Sequence, residues 1–168
     1  MFELQRWCRA VPSVVSEARP YFTAAQLDTR TIASNLAFTV VDPTGLSFAL
    51  ISSSIFLVWQ RTVGGRLKSD LRFSTLTWNT FPVPVLDDKT RQQIIDAGQL
   101  VLWVRKQYPD RSLAEHYNPL AMAPELLKAH DKLDREVDKA FGATRKLTSE
   151  NQRRGLLFSN YARLTRSD

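Results

Sequence analysis

Val63-Gly64-Gly65-Arg66-Leu67-Lys68-Ser69-Asp70-Leu71-Arg72-Phe73-Ser74 is the stretch on which the reading of this chain turns. Two glycines allow tight backbone geometry, and basic, acidic and basic side chains then alternate. An extended run from Arg66 to Ser74 places Arg66, Lys68, Asp70 and Arg72 on one face. Leu67, Leu71 and Phe73 point the other way, toward a core. Lys68 and Asp70 then stand about two residue rises apart (~6.6 Å), a donor beside an acceptor. Such a pair suits a G·C base pair, with lysine on guanine O6 and N7 and aspartate on the cytosine N4 donor. The same pattern also fits an exposed strand with a same-face ion pair, which contributes little.

Upstream, Leu46 to Arg61 is apolar nearly all round and reads as one buried helix, with Thr44 as candidate N-cap after the Asp42-Pro43-Thr44-Gly45 turn. Ile32 to Val41 reads as a strand containing Asn35, a residue type able to pair bidentately with adenine but more often a local cap. Val11 to Glu17 reads as a short strand and turn. Downstream, Thr75 to Phe81 continues the key strand or forms its hairpin partner, and Pro82 and Pro84 then stop the sheet.

Beyond Pro84 the pattern is helical. Asp87 or Asp88 caps a helix to about Tyr108, with Ile94, Ala97, Gly98, Val101, Leu102 and Trp103 on or beside its buried stripe. Pro124 opens another, whose stripe is Leu126, Ala129, His130, Leu133, Val137, Ala140 and Phe141, with Gly142 after its end. Asp131 with Arg135, and Glu136 with Lys139, support its exposed face. Ser149 and Gln152 form a capping box for a last helix, with Leu156, Leu157, Tyr161 and Leu164 on its inner side. The expected architecture is α+β: a small mixed sheet packed on a buried helix over residues 1–84, then an α-helical bundle over 85–168.

With 168 residues, 43% hydrophobic and 24% charged, the chain can bury a sizeable core. A net charge of +6 favours anionic partners. Its distribution says more: residues 1–84 hold eight basic groups, seven of them arginine, against five acidic ones, whereas 85–168 hold fifteen against twelve, like solvated helix faces. One cysteine, Cys8, excludes an internal disulfide and a Cys-rich zinc site and fits a reducing cytoplasm. No segment has the signal pattern or the ~20 apolar residues of a membrane span, so a cytoplasmic protein without membrane partners is expected.

Catalytic patterns are scarce. His130 lies on an apolar stripe, where a hydrogen-bonded core residue is expected rather than a ligand. Asp131, Asp134 and Asp138 follow helix-surface spacing, not that of a metal site. Gly64-Gly65 lacks the lysine-terminated phosphate loop, and no Ser/His/Asp arrangement is supported. No catalytic residue and no metal ligand is assigned.

Four stretches, in order, resemble one family. Val11 to Phe22 looks like the opening of the target recognition domain of MmeI-like type IIG restriction-modification DNA methyltransferases. Arg61 to Ser74 is similar to that family's Gly-Arg-Leu … Arg-Tyr-Ser segment. Trp78-Asn79-Thr80-Phe81-Pro82-Val83-Pro84 resembles its Tyr-Asn-Thr-Phe-Pro-Trp-Pro stop, and Met122 to Asp134 its C-terminal helical module. The resemblance implies a DNA-reading domain followed by a helical domain, at the end of an enzyme that methylates adenine N6 using S-adenosylmethionine, in many cases with a nuclease. The Asn-Pro-Pro-Tyr catalytic motif and a Gly-rich cofactor motif are absent here, and Asn118-Pro119-Leu120-Ala121 is no substitute. S-adenosylmethionine is therefore expected in the parent enzyme and no cofactor in this chain. The resemblance further implies that the two positions flanking the Ser69 of the Gly-Arg-Leu segment, Lys68 and Asp70, help choose a base pair, and it touches the strand of Asn35.

The expected function is sequence-specific recognition of double-stranded DNA, with a methyltransferase domain of the same or a separate chain as partner. Lys68, Asp70 and Asn35 are the candidate base readers, and Arg66, Arg72, Arg19 and Arg61 the candidate backbone contacts. The alternative is a non-catalytic protein-interaction module whose helical bundle docks a partner.

Overall fold

Pro12 and the serine after it set the layout of the strands. The computed structural model describes residues 8–27 and 31–166. Strand β1 (Cys8–Pro12) pairs antiparallel with both β3 (Ala25–Leu27) and β4 (Ala37–Val41). Proline, lacking an N–H, closes β1. Ser13 then links two sheets: its N–H donates to the Leu36 carbonyl at 2.9 Å, and its carbonyl accepts from the Phe73 N–H at 2.9 Å. Strand β2 (Val14–Val15) pairs with β6 (Asp70–Arg72), which pairs with β5 (Gly65–Leu67). The single mixed sheet expected from sequence is thus two small antiparallel sheets.

The apolar run after Gly45 is two helices, not one: α1 (Leu46–Ile51) and α2 (Ser54–Val63). Three consecutive serines offer the backbone other partners. The Ser53 hydroxyl donates to the Leu50 carbonyl at 2.6 Å and also accepts from the Phe56 N–H, so it ends one helix and caps the next. Thr44 is not the cap of α1. Gly45, at φ +87°, holds that position, and the buried Asp42 carboxylate accepts from the Gly45, Ser47 and Phe48 N–H groups while pairing with Arg9. Thr75 to Phe81 also departs from its expected extended form. Ser74 accepts from the Thr77 N–H and starts helix α3 (Thr75–Asn79).

The helical half follows its sequence pattern closely: α4 (Asp88–Lys106) capped by Asp87, α5 (Leu113–His116), α6 (Pro124–Ala140), and α7 (Glu150–Thr165) with the Ser149–Gln152 capping box. Trp103, Tyr161 and Leu164 are exposed rather than inward-facing. Helix α4 lies against α1 where Gly98 meets Ala49, since a Cβ at 98 would come within 2.7 Å of the Ala49 Cβ. A single buried cluster holds residues from both sides of Pro84, and Phe81 joins them through ring contacts to Phe56 (5.2 Å) and Phe141 (5.3 Å). Among the described residues no helix is long and apolar enough to cross a membrane.

Two buried polar clusters tie these layers together. In one, Asp134 of α6 accepts from the Ser54 N–H (2.7 Å) and hydroxyl (2.5 Å), at the N-terminus of α2, beside the bidentate Arg153–Asp138 pair. Burial pushes the Asp134 carboxyl up to about 6 despite those donors. The native state then holds a proton that the unfolded chain releases near pH 4, so Asp134 weakens the fold as pH rises from about 4 to about 6. The expected change is on the order of 2–3 kcal/mol. Urea midpoints from pH 4 to 7 should show this fall in the unsubstituted chain, and Asp134→Asn should remove it; parallel curves would place the titration elsewhere.

Candidate nucleic-acid interface

Strands β5 and β6 form a tight hairpin with Leu67 opposite Asp70, Arg66 opposite Leu71 and Gly65 opposite Arg72. Only Lys68 and Ser69 lie between the strands. Lys68 turns the chain at φ +56°, the left-handed region that costs a residue with a Cβ about 1–2 kcal/mol. That turn resets the alternation expected of a continuous strand. Directly opposed residues share a face, so Leu67, Asp70 and Arg72 lie together with Gly65, while Arg66 and Leu71 lie on the other. Of the four charged groups expected on one face, the structure keeps Asp70 and Arg72 together, moves Arg66 to the opposite face, and puts Lys68 at the tip. Leu67, expected in the core, is 54% exposed; Leu71 and Phe73 are buried as expected.

The face carrying Leu67 and Arg72 opens into a cleft of about 640 Å³. Its other walls are Ser13, Val14, Asn35, Leu36 and Phe38. Asn35 is not within a strand, as its sequence context implied, but in the exposed turn ahead of β4. The turn is held by the Ser13 hydroxyl, which donates to the Leu36 carbonyl at 2.8 Å. The structure therefore brings Asn35 and Arg72 to one cleft, at the base of the hairpin that presents Lys68.

Glu17 organises the hairpin, and it was not among the candidate residues. Its N–H donates to the Asp70 carboxylate at 3.2 Å, and its own carboxylate pairs with Arg66 at 3.2 Å. Arg66 also donates to the Ser69 carbonyl at 2.9 Å, bracing the turn. Arg61 pairs with Glu150 and donates to the Glu17 and Arg19 carbonyls, while Arg19 reaches the Leu113 carbonyl at 3.4 Å. Arg66, Arg61 and Arg19 are thus engaged within the protein. Lys68 and Arg72 have no ion pair among the described residues and are exposed. A position-by-position scan of charge does not find Glu17, because its role comes from strand β2 pairing with β6.

The comparisons with known proteins match this arrangement over nearly the whole chain. Residues 3–85 match the model of the MmeI target recognition domain, and residues 85–167 that of the MmeI C-terminal domain. The chain belongs to the MmeI family. A relative in Bacillus subtilis (strain 168), DNA methyltransferase A, is 35% identical over 164 residues, covering 97% of this chain and 18% of that protein. The type IIL restriction-modification enzyme MmeI, solved in complex with DNA, superposes with a TM-score of 0.88 at 37% identity, over 95% of this chain and 21% of that one. The chain spans about a fifth of the length of these relatives. The part of an MmeI-like enzyme to which it corresponds is the C-terminal part, and the hairpin and cleft lie within the residues matched by the target recognition model.

Proposed function

We propose that this chain is the DNA-reading part of a restriction-modification enzyme that methylates adenine N6. Residues 1–84 would read double-stranded DNA and residues 85–168 would support them. The observation that carries the reading is the cleft itself. It gathers an amide side chain (Asn35) and a cation without an ion pair among the described residues (Arg72) beneath a turn that projects a second such cation (Lys68). In this reading Lys68, Asp70 and Asn35 face base edges in the major groove, and Arg72 contacts a backbone phosphate. Arg66, Arg61 and Arg19 contribute by holding the hairpin, since their guanidinium groups already serve Glu17, Glu150 and backbone carbonyls. The methyl transfer and its S-adenosylmethionine belong to a methyltransferase domain on the same or a separate chain. The cytoplasm, suggested by the single cysteine, is where such DNA is met.

Selection from a randomised duplex library with the purified chain, at two salt concentrations, tests this. A motif with a fixed G·C pair is expected, and Lys68→Ala should reduce discrimination at that position by ~1–3 kcal/mol. Arg72→Ala should weaken binding to all sequences alike and lower the salt slope by about 0.9, as for one phosphate. Equal loss on every sequence for Lys68→Ala would remove its base-reading role.

A further inference from the structure

A cluster of charged side chains lies where α6 turns into α7. Gly142, at φ +107°, follows the end of α6, and the Ala143 N–H donates back to the Asp138 carbonyl at 2.9 Å. The chain therefore folds against the last turn of the helix it has just left. Buried Leu147 anchors the far end of the loop, and the Thr148 and Ser149 N–H groups donate to the Gln152 side chain. Between these two anchors, Thr144, Arg145 and Lys146 face Arg135 and Lys139 of α6 across a pocket of about 360 Å³.

The charges around this pocket do not cancel. Asp131 is shared by Arg135 (2.6 Å) and Lys146 (2.5 Å), and Asp138 is held by the fork of Arg153. Lys139 and Arg145 have no acidic partner among the described residues. The pocket is lined by four basic side chains, Arg135, Lys139, Arg145 and Lys146, and by one carboxylate, Asp138, which Arg153 already holds. The pocket walls hold no aromatic ring, which leaves nothing for a base to stack on and makes a phosphate group the chemistry these walls suit.

The loop also connects to the hairpin. Four residues after Lys146, a span of at most ~14 Å, Glu150 pairs with Arg61. Arg61 donates to the Glu17 carbonyl, and Glu17 in turn holds Arg66 and Asp70. Four residues of chain, followed by the contacts of Glu150, Arg61 and Glu17, thus join the basic pocket to the reading hairpin.

We propose that the pocket formed by Arg135, Lys139, Arg145 and Lys146 binds a backbone phosphate of the same duplex that the hairpin reads. This rests on the DNA-reading function proposed above and adds to it a second contact, on the helical half, that carries no sequence information. A phosphate there adds affinity and fixes the orientation of the duplex relative to the hairpin.

The test uses the full chain carrying Lys139→Gln and Arg145→Gln, two exposed side chains with no ion pair among the described residues. A charge-matched control carries Lys89→Gln and Arg91→Gln on the exposed start of α4. The slope of log affinity against log salt should fall by about 0.9 for the phosphate lost, with the preferred sequence unchanged, and the control should fall less. An equal fall in the control, or an unchanged slope in the pocket variant while Arg72→Ala lowers it, overturns the pocket and leaves the DNA-reading function standing. If the unsubstituted chain binds no duplex at low salt, the DNA-reading function fails and pyrophosphate titration decides the pocket. Uptake that the pocket variant loses would assign it to a free phosphate-bearing ligand, and absence of uptake would overturn it.

Discussion

Replacing Arg153 by alanine is expected to destabilise this protein by about 3–5 kcal/mol at neutral pH, the cost of breaking a buried ion pair from one side. The Arg153 guanidinium donates to both oxygens of Asp138, at 3.0 and 2.7 Å, and lies 3.9 Å from Asp134. Its side chain is 12% exposed, and those of Asp138 and Asp134 are 5% and 10% exposed. Without the cation, two carboxylates remain in a medium that already raises the affinity of both for protons. The effect reaches beyond the pair because Asp134 also holds the first turn of α2 through Ser54, so α2, α6 and α7 share one electrostatic junction. The loss should therefore shrink as pH is lowered and the orphaned carboxylates protonate. Urea unfolding of both proteins at pH 7.5 and pH 5 measures this. A cost that does not depend on pH would mean that Arg153 acts by packing its stem rather than by its charge.

Tyr117→Phe should cost about 3 kcal/mol although it removes a single oxygen. Tyr117 is fully buried and its oxygen accepts from Nε and Nη2 of Arg105, so its own proton goes to Nε2 of His130 at 2.7 Å. His130 is thereby neutral with its proton on Nδ1, and burial holds its basicity well below the ordinary histidine value. Arg105 also donates to the Ala24 carbonyl at 2.7 Å, and Tyr21 stacks on His130 at 3.8 Å. One hydroxyl thus joins the segment leading into β3 to helices α4 and α6. Phenylalanine fills the same volume but leaves a buried guanidinium and an imidazole nitrogen without their partner. In a double-mutant cycle His130→Leu should cost less in the Tyr117→Phe background than alone. Equal costs in both backgrounds would mean that the two side chains are not coupled.

The helical half was legible because its signals are local. Asp87, Ser149 with Gln152, Pro124 and Gly142 mark helix ends through contacts within one turn, and the apolar spacing of α4 and α6 reports the face they bury. His130 was legible as a hydrogen-bonded core residue for the same reason, though its partner was not, since Tyr117 and Arg105 come from other elements. In the first half the local pattern misled where two outcomes share it. Arg66 to Ser74 shows the same charged and apolar spacing in the chain whether it forms one strand or a hairpin, because a two-residue turn leaves both arms extended and resets the faces only between them. Leu46 to Arg61 is apolar enough for one buried helix, and only the contacts of Ser53 and of Asp134, eighty residues on from Ser54, show why it divides.

For the candidate site, the sequence alone determined the inventory: an Arg-rich first half, the Lys68–Asp70 spacing, and four ordered stretches that resemble one family, which the comparisons show to be the right one. It also determined that Leu71 and Phe73 face inward, since alternation and hydrophobicity agree there. Tertiary structure decided which charges find partners within the protein. Arg66, Arg61 and Arg19 look equivalent to Arg72 in the chain, yet strand pairing brings Glu17, Glu150 and open carbonyls within their reach and leaves Arg72 and Lys68 toward solvent. A side chain's partners are set by elements distant in sequence, and so its freedom to meet a ligand cannot be read from its neighbours in the chain.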